Sequence, residues 1–393
     1  MTSSKSLLRY TKKMNDQRQE LLANEGAFSD LAQLLLDRGV RRIFLISGKQ
    51  TQRLKLYDSF VEKLQAGGAR CFVWAHTGKT PDRGTIEACA EECQTYNCEA
   101  IVAFGGGKVI DVGKMVAVWL NNTDKSLYQM RGIGQIPRKG LPLYVVSTTC
   151  SGAESSACSL AHNERQISTY YSEYLVPDAV VLDPDLVLRL PMENMAAAAM
   201  LALSHATEAF ISPLSKEFPA DRANLLIAIP IFFSFLEKSY KHGAGNDGYL
   251  QMMMAPYYTG VATRRIGFGP AHSLSIYVSE KYSETPGKVS AVILPLVLEN
   301  EFNEVKEELA VLARAAHLCS ARATTEEAAR AYISGIRSLC RRVDIPAALP
   351  FLKLEDFGDI IKLAILDAKQ WGCPKKLNPK SALSILKKSR YSE

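Results

Sequence analysis

Short apolar runs alternate with amphipathic segments along the chain up to about residue 187. Five of these runs predict buried strands, at residues 43–46, 71–74, 100–104, 143–146 and 180–182. Apolar residues at helical spacing fill residues 53–65 and 85–96, between the first three runs. Because strands and helices alternate with short connections, the pattern predicts a parallel sheet covered by helices on both faces.

The pattern changes at Pro191. Strand signals disappear from this point, and helical periodicity continues to the end of the chain. Residues 188–191 therefore mark the predicted junction between an α/β domain at residues 1–187 and an all-helical domain at residues 188–393. Ligands of such two-domain chains commonly bind in the cleft between the halves, so we expect the helical domain to carry substrate-binding and catalytic residues.

The composition is that of an ordinary globular protein, since 47% of the 393 residues are hydrophobic and 22% are charged. The net charge of +6 is spread along the chain, which gives little support to nucleic-acid binding but suits an anionic ligand. No apolar stretch reaches the roughly 18 residues of a membrane span. No long apolar region follows the basic residues near the N-terminus, so we expect a cytoplasmic protein without a membrane partner.

The nine cysteines are scattered, and the one cluster contains Cys89, Cys93 and Cys98. No second cluster with the spacing of metal ligands accompanies it. Cys89 and Cys93 lie four residues apart in a helical pattern, which predicts two side chains on one buried face. We therefore interpret the cysteines as free thiols in a reducing compartment.

Three glycines, Gly105, Gly106 and Gly107, separate the apolar run at residues 100–104 from an amphipathic helix. Their backbone can approach a bulky anion closely, and the first N–H groups of the following helix supply a positive field. The arrangement suits a pyrophosphate, such as that of a dinucleotide bound by a Rossmann-like domain. A glycine turn also occurs for packing alone, and these residues do not separate the two interpretations.

Six motifs, in register along the chain, carry a resemblance to a known family. They lie at residues 105–107 with Asp111 and Lys114, at 147–154, at 183–184 with 190–191, at 204–210, at 269–274 and at 377–380. Together they resemble the iron-dependent (group III) alcohol dehydrogenase superfamily, which also includes glycerol dehydrogenases, maleylacetate reductases and, more distantly, dehydroquinate synthases. The resemblance implies an N-terminal dinucleotide-binding α/β domain and a C-terminal all-helical domain.

The resemblance also implies which residues contact the cofactor. Residues 105–107 and Asp111 correspond to the family's glycine loop. Thr148, Thr149 and Ser151 lie in the segment that resembles its threonine-rich nicotinamide motif, here one residue short. Lys108 replaces the serine that usually follows the glycines, and contact with the pyrophosphate, with the substrate or with solvent stays open for it.

Family members that use a metal hold it with one aspartate and three histidines of the helical domain. His205 and His272 occupy two of these positions, whereas Leu201 and Pro286 occupy the other two. Ile276 stands where a further histidine often lines the active site. Since a divalent cation needs about three or four donors, we expect that no metal binds.

A histidine in a helix is most often a packed structural residue. His205 and His272 have the additional context of ligand positions, so a direct role in the chemistry and a structural role both stay open for them. The other histidines have no such context and are expected to be structural or at the surface: His76, His162, His242 and His317.

The end of the first predicted strand indicates the cofactor. Family members that prefer NAD tend to carry an acidic residue there, and this chain has Gly48. Without a carboxylate, a 2′-phosphate is not repelled, and Lys49, Gln50 and Arg53 are available to pair with it. The chain is therefore predicted to prefer NADPH, the alternative being a solvated loop with basic residues by chance.

Arg264 and Arg265 lie eight and seven residues before His272, where the family usually has small or polar residues. Two guanidinium groups near a catalytic cleft indicate a carboxylate, phosphate or phosphonate on the substrate. A pair of surface arginines is the competing interpretation.

The resemblance and its departures together predict an NADPH-dependent, metal-independent reductase of a small aldehyde or ketone. His205, His272 and one of the two arginines would replace the metal at the carbonyl. Two alternatives remain: a lyase or cyclase of the dehydroquinate synthase type, and a non-catalytic nucleotide-binding protein. Substrate identity, reaction direction and oligomeric state stay open, a homodimer included.

Overall fold

The computed structural model describes residues 3–14, 19–76, 80–163, 166–188, 191–241, 243 and 245–391. The chain divides into two compact units, one formed by Met14–Leu190 and the other by Pro191–Glu393 together with Met1–Lys13. Residues 189 and 190 of the predicted junction lie outside the described residues. The N-terminal segment joins the second unit because helix α1 (Ser3–Thr11) buries Leu7 fully, whereas the sequence placed this segment in the first domain.

Strands and helices alternate in the first unit. Its strands are β1 (Glu20–Ala23), β2 (Arg42–Gly48), β3 (Arg70–His76), β4 (Ala100–Gly105), β5 (Gly132–Ile133), β6 (Leu143–Ser147), β7 (Cys158–Asn163), β8 (Gln166–Tyr171) and β9 (Ala179–Leu182). Its helices are α2 (Ala27–Asp37), α3 (Lys49–Arg53), α4 (Asp58–Ala66), α5 (Arg83–Thr95), α6 (Gly107–Trp119), α7 (Leu127–Met130) and α8 (Pro184–Val187).

Six of these strands form a parallel sheet in the order β1-β9-β6-β4-β2-β3. Helices α2 and α4 pack on one face, and α5 and α6 pack on the other. The chain switches faces between β2 and β4, so the carboxyl ends of these neighbouring strands form the crevice where ligands of such sheets bind. The α/β fold class and the five predicted strands are confirmed.

Three features of this unit differ from the predicted pattern. Strand β1 lies at the sheet edge and was not predicted, and neither was the small second sheet of β5, β8 and β7. The helix predicted at 53–65 is two helices, α3 and α4, because Lys55 adopts a left-handed conformation with φ of 53° between them. Cys89 and Cys93 are both buried on α5, as predicted, and the nine cysteines are free thiols.

The second unit is helical, and its described residues contain no strand. Besides α1, it contains α9 (Met192–Ile211), α10 (Pro219–Lys241), α11 (Gly245–Ile266), α12 (Pro270–Tyr282), α13 (Pro286–Asn300), α14 (Phe302–Ala315), α15 (Thr325–Arg342), α16 (Phe357–Ala368) and α17 (Pro379–Ser389). Close approaches between helices position the site residues on α9, α12 and α13. A Cβ at Gly287, for example, would lie 1.7 Å from the carbonyl oxygen of Ala197, so only glycine allows α13 to contact α9 here.

Helix α10 is, among the described residues, the one helix that is long and apolar enough to cross a membrane. No apolar stretch of this length was predicted from the sequence. Only 33% of its most apolar window is buried, but α10 also contacts α9, α11 and α14, and Phe232 and Leu236 are fully buried. Length and composition alone are weak support for a span, because core helices have the same properties.

Candidate functional site

The glycine loop lies at the carboxyl edge of the sheet. Strand β4 ends at Gly105, which pairs with Ser147 at the end of β6. A Cβ at Gly105 would lie 2.9 Å from Val109, and a Cβ at Gly106 would lie 3.0 Å from Thr149. At Gly107 the nearest atom would be 3.8 Å away. Packing therefore accounts for the first two glycines, whereas the third keeps the start of α6 open to a ligand.

The segment after β6 folds beside this loop. The Thr148 backbone N–H donates to the Gly105 carbonyl at 3.1 Å, and the Ser147 hydroxyl donates to the Thr149 carbonyl at 2.8 Å. The Thr149 hydroxyl is buried and has no hydrogen-bond partner. A buried polar atom without a partner is unusual, so this one marks a place where a ligand would complete the structure.

The remaining predicted cofactor residues fall into two groups. Ser151 lies beside Gly107, and Lys108 is exposed at the start of α6. Asp111 instead accepts hydrogen bonds from the Ser159 hydroxyl at 3.0 Å and the Leu160 N–H at 3.3 Å. Burial raises the pKa of Asp111 to about 6. The structure thus gives Asp111 a role in holding β7.

Gly48 ends β2, the strand next to β4, and has an extended backbone with φ of −84°. A Cβ here would contact Val109 at 3.7 Å and the Thr51 hydroxyl at 3.8 Å, which is ordinary packing. Lys49 and Arg53 are exposed on α3. The structure therefore places the cations of Lys49 and Arg53 directly after Gly48, a position that has room for a side chain.

In the helical unit, His205 of α9 and His272 of α12 form a hydrogen-bonded pair. Nε2 of His205 lies 2.9 Å from Nδ1 of His272. His272 is buried and its Nε2 has no hydrogen-bond partner, whereas His205 is half-buried. Burial lowers the pKa of His272 to about 3, and burial and the neighbouring imidazole lower the pKa of His205 well below its usual value. Both rings are therefore neutral at pH 7.

Aromatic neighbours fix the plane of the His272 ring. Phe268 stacks on it with ring centroids 4.1 Å apart, and Trp371 meets it edge-on at 6.1 Å. The Trp371 indole donates to the Asp367 carboxylate at 2.9 Å, and the Ser273 hydroxyl donates to it at 2.7 Å. Phe268 and Trp371 also contact each other, with ring centroids 5.2 Å apart, so the imidazole packs against one aromatic cluster that fixes its orientation.

The backbone of this histidine is anchored by a residue that the sequence analysis did not single out. The buried Glu208 carboxylate accepts the N–H groups of Ala271 at 2.6 Å and His272 at 3.0 Å, at the start of α12. A Cβ at Gly269 would lie 2.5 Å from this carboxylate, which explains the glycine. Burial raises the pKa of Glu208 to about 8, although the backbone hydrogen bonds act in the opposite direction. One indication of this role was present in the sequence, because Glu208 lies three residues after His205 and therefore on the same side of the helix.

The two arginines at the end of α11 differ in their surroundings. The Arg265 guanidinium donates to the buried Asp221 carboxylate at 2.6 Å and lies 5.2 Å from the centre of the Phe218 ring. Arg264 is half-buried on the same helical turn. The ion pair engages Arg265 within the helical unit, and both arginines stay candidates for contact with a substrate anion.

The positions that lack a metal ligand are apolar in the structure as in the sequence. Leu201 lies one turn before His205 on α9, Pro286 begins α13, and Ile276 is buried one turn after His272. The described residues contain no group of three or more histidine, cysteine, aspartate or glutamate side chains that could hold a metal ion. The donor set on this chain therefore does not fit the family's metal site.

None of the other described histidines lies on α9 or α12, the helices that carry this pair. His76 ends β3, His162 lies on β7, and His317 is exposed with a φ of 55°. His242 lies outside the described residues.

Comparison with known protein families covers nearly the whole chain. Residues 19–184 match the family described as iron-containing alcohol dehydrogenase. Residues 195–390 match the C-terminal part of the Fe-containing alcohol dehydrogenase family.

Individual relatives are distant. Alcohol dehydrogenase 4 of Saccharomyces cerevisiae is 25% identical over 370 residues, which are 93% of this chain and 95% of that protein. A 4-hydroxybutyrate dehydrogenase of Cupriavidus necator is 28% identical over 271 residues, 66% of this chain and 69% of that protein. Among solved structures, a 1,3-propanediol oxidoreductase superimposes with a TM-score of 0.89 at 23% identity, covering 96% of this chain and 100% of that one. A sulfoacetaldehyde reductase of Bifidobacterium kashiwanohense, in complex with NAD+, has a TM-score of 0.83 at 19% identity, covering 97% and 99%.

Proposed function

Because this chain belongs to the iron-containing alcohol dehydrogenase family, we propose that it is an NADPH-dependent reductase of a small aldehyde or ketone that works without a bound metal. The observation that carries the proposal is the hydrogen-bonded His205–His272 pair, which combines an unpartnered His272 Nε2 with apolar residues at the missing ligand positions. Family membership makes the chain an oxidoreductase of the alcohol dehydrogenase type. Cofactor preference, metal independence and substrate class are the proposed refinements.

The α/β unit has the residues to hold a dinucleotide. Gly107 leaves the start of α6 open to the pyrophosphate, and the unpartnered hydroxyl of Thr149 lies beside Gly106. Lys49 and Arg53 follow the end of β2, where the 2′-phosphate of NADPH would be paired. When bound, NADPH supplies the hydride for the carbonyl carbon.

The helical unit supplies the hydrogen bond that replaces a metal. In the productive tautomer, Nε2 of His205 donates to Nδ1 of His272, and His272 then carries its proton on the unpartnered Nε2. A neutral imidazole of this kind can polarise a carbonyl and protonate the developing alkoxide. His272 then receives the Nε2 proton of His205 at its own Nδ1, and the half-buried His205 takes up a proton from solvent at Nδ1, so both rings are neutral again.

The substrate is proposed to carry an anionic group, which Arg264 binds. Two relatives act, by their names, on compounds with such a group: 4-hydroxybutyrate has a carboxylate and sulfoacetaldehyde a sulfonate. The comparison supports the class of substrate, and the arginine accounts for it on this chain. A panel of carbonyl compounds with and without a carboxylate, sulfonate, phosphate or phosphonate, assayed with NADPH, tests the proposed reaction. NADPH binding without turnover of any of them would favour a non-catalytic protein.

Gly48→Asp is expected to reverse the cofactor preference. We expect the unmodified protein to bind NADPH at least about tenfold more tightly than NADH, or about 1.4 kcal/mol. The Gly48 backbone is extended and a Cβ there meets only ordinary contacts, so the new carboxylate repels the 2′-phosphate without disturbing the fold. Fluorescence titration with both cofactors measures the change. Gly48→Ala is the matched control and should keep the preference, and tighter NADH binding by the unmodified protein would contradict the proposal.

Metal analysis provides the second test. With two imidazoles and no further donors at the site, the purified protein is expected to contain iron and zinc well below one ion per chain. Prolonged treatment with a chelator should leave reductase activity unchanged. The proposal fails if elemental analysis finds one tightly held divalent ion per chain whose removal abolishes activity.

A further inference from the structure

A fully buried lysine lies beneath the proposed nucleotide site. Lys114 is on α6, two turns after the glycine loop, and its side chain is 0% exposed. Its Nζ donates to the carbonyl oxygens of Ala153 at 2.7 Å, Ser156 at 2.7 Å and Cys158 at 2.9 Å, and the Ser156 hydroxyl lies 3.2 Å from it. Burial of an ammonium group is costly unless its donors are satisfied, and these acceptors satisfy them.

The acceptors all belong to one stretch of chain, residues 148–158, which we call the threonine segment. It begins with Thr148 and Thr149 beside the glycine loop and ends at the first residue of β7. Its Glu154 is fully buried, with a carboxyl oxygen 3.3 Å from the Ser147 hydroxyl oxygen. The segment contains no helix or strand before Cys158. A few backbone hydrogen bonds and the contacts of Lys114 therefore hold its path.

Helix α6 is a rigid base for these contacts. A Cβ at Gly113 would lie 2.6 Å from Ala103 of β4, so the glycine lets α6 pack directly on the central strand. Lys114, the next residue, therefore starts from a fixed backbone. The same helix presents the glycine loop at its N-terminus, and Lys114 thus connects the two parts of the proposed cofactor site.

We propose that Lys114 is a positioning residue that holds the threonine segment in place for the nicotinamide half of the cofactor. This inference rests on the proposed function, because it assigns a role in binding NADPH. Lys114 itself contacts neither cofactor nor substrate. Without its hydrogen bonds, NADPH binding must order the segment, and the ordering entropy weakens binding. The adenosine half, which is paired near Gly48, does not depend on the segment.

The test compares NADPH with 2′,5′-ADP, a probe that contains the adenosine half and lacks the nicotinamide. In Lys114→Met, which keeps the length of the side chain, the Kd of NADPH is expected to rise at least about tenfold. The Kd of 2′,5′-ADP should stay within about twofold of the unmodified value. Equal affinity of the variant and the unmodified protein for NADPH would overturn the inference, and so would equal weakening of both ligands. Failure of the unmodified protein to bind NADPH would instead refute the proposed function.

Asn122 provides a control for general destabilisation. It is fully buried just after α6, and its amide donates to the carbonyls of Val118 at 2.7 Å and Arg138 at 2.9 Å. Asn122→Leu should lower the melting temperature without changing the ratio of the two dissociation constants. A change in that ratio as large as the one in Lys114→Met would show that any loss of stability in this unit has the same effect.

A milder variant keeps the inference testable if Lys114→Met does not fold. Ser156→Ala removes a hydroxyl that lies 3.2 Å from Nζ of Lys114 and 3.3 Å from the Ala153 and Cys158 carbonyls, so it loosens the segment around the lysine and leaves the three carbonyl contacts of Lys114. We expect a smaller change in the same direction, with NADPH binding weakened about two- to fivefold and 2′,5′-ADP binding unchanged. An unchanged ratio of the two constants in this variant would overturn the inference.

Discussion

Replacing His272 by alanine is expected to lower kcat by about 100-fold or more, while the Kd of NADPH stays nearly unchanged. Loss of a general acid typically has an effect of about 10² to 10⁴ on rate. The described residues contain no metal ligand set that could replace the imidazole, and Leu201, Ile276 and Pro286, which occupy positions where the family has polar residues, are apolar. Steady-state kinetics on the true substrate, together with NADPH titration, measure the two quantities.

Replacing His205, the other member of the pair, gives a second test of the mechanism. His205→Ala leaves the Nε2 of His272 in place but removes the group 2.9 Å from its Nδ1, so we expect a comparable loss of kcat. His317→Asn is the matched control, since His317 is exposed and asparagine tolerates its left-handed φ of 55°. If both variants of the pair retain near-normal turnover, the two histidines are structural and the mechanism is wrong.

The sheet could be predicted because most of its strands are buried on both faces. Strands β2, β4, β6 and β9 have continuous apolar runs, which a covered parallel sheet requires. Strand β1 has four half-buried residues at the edge of the sheet and gives no such signal. Strands β7 and β8 contain many polar residues and were therefore not recognised as strands. Asp111 and Lys114 stabilise this antiparallel pair by hydrogen bonds to β7.

The site residues could be predicted where they lie in one continuous motif. They could not be predicted where the contact joins residues far apart in the sequence. The glycine loop and its helix form one continuous stretch, whose chemistry depends on residues that are adjacent in sequence. By contrast, Glu208 reaches His272 across 64 positions and Lys114 reaches Ser156 across 42. A sequence without an alignment carries no sign of such pairs. The partners of Arg264 and Arg265 likewise depend on tertiary structure, because the buried Asp221 that engages Arg265 lies 44 residues away.

Replacing Arg264 by alanine is expected to raise the KM for an anionic substrate roughly 100-fold, with kcat changed only a few-fold. A charge-assisted hydrogen bond contributes about 1.5–3 kcal/mol, and this one exists in both the ground state and the transition state. Arg264→Lys keeps the charge without the planar fork and should recover part of the loss. A neutral carbonyl compound of similar length should show no change in KM between the variant and the unmodified enzyme.

Arg265→Ala is the matched comparison, since it changes the adjacent guanidinium on the same helical turn. It removes the ion-pair partner 2.6 Å from the buried Asp221 carboxylate, so the expected effect is a lower melting temperature. The KM for the anionic substrate should change little, measured well below the melting temperature. The opposite outcome, with KM raised by Arg265→Ala and unaffected by Arg264→Ala, would assign the substrate anion to Arg265 and contradict the proposed role of Arg264.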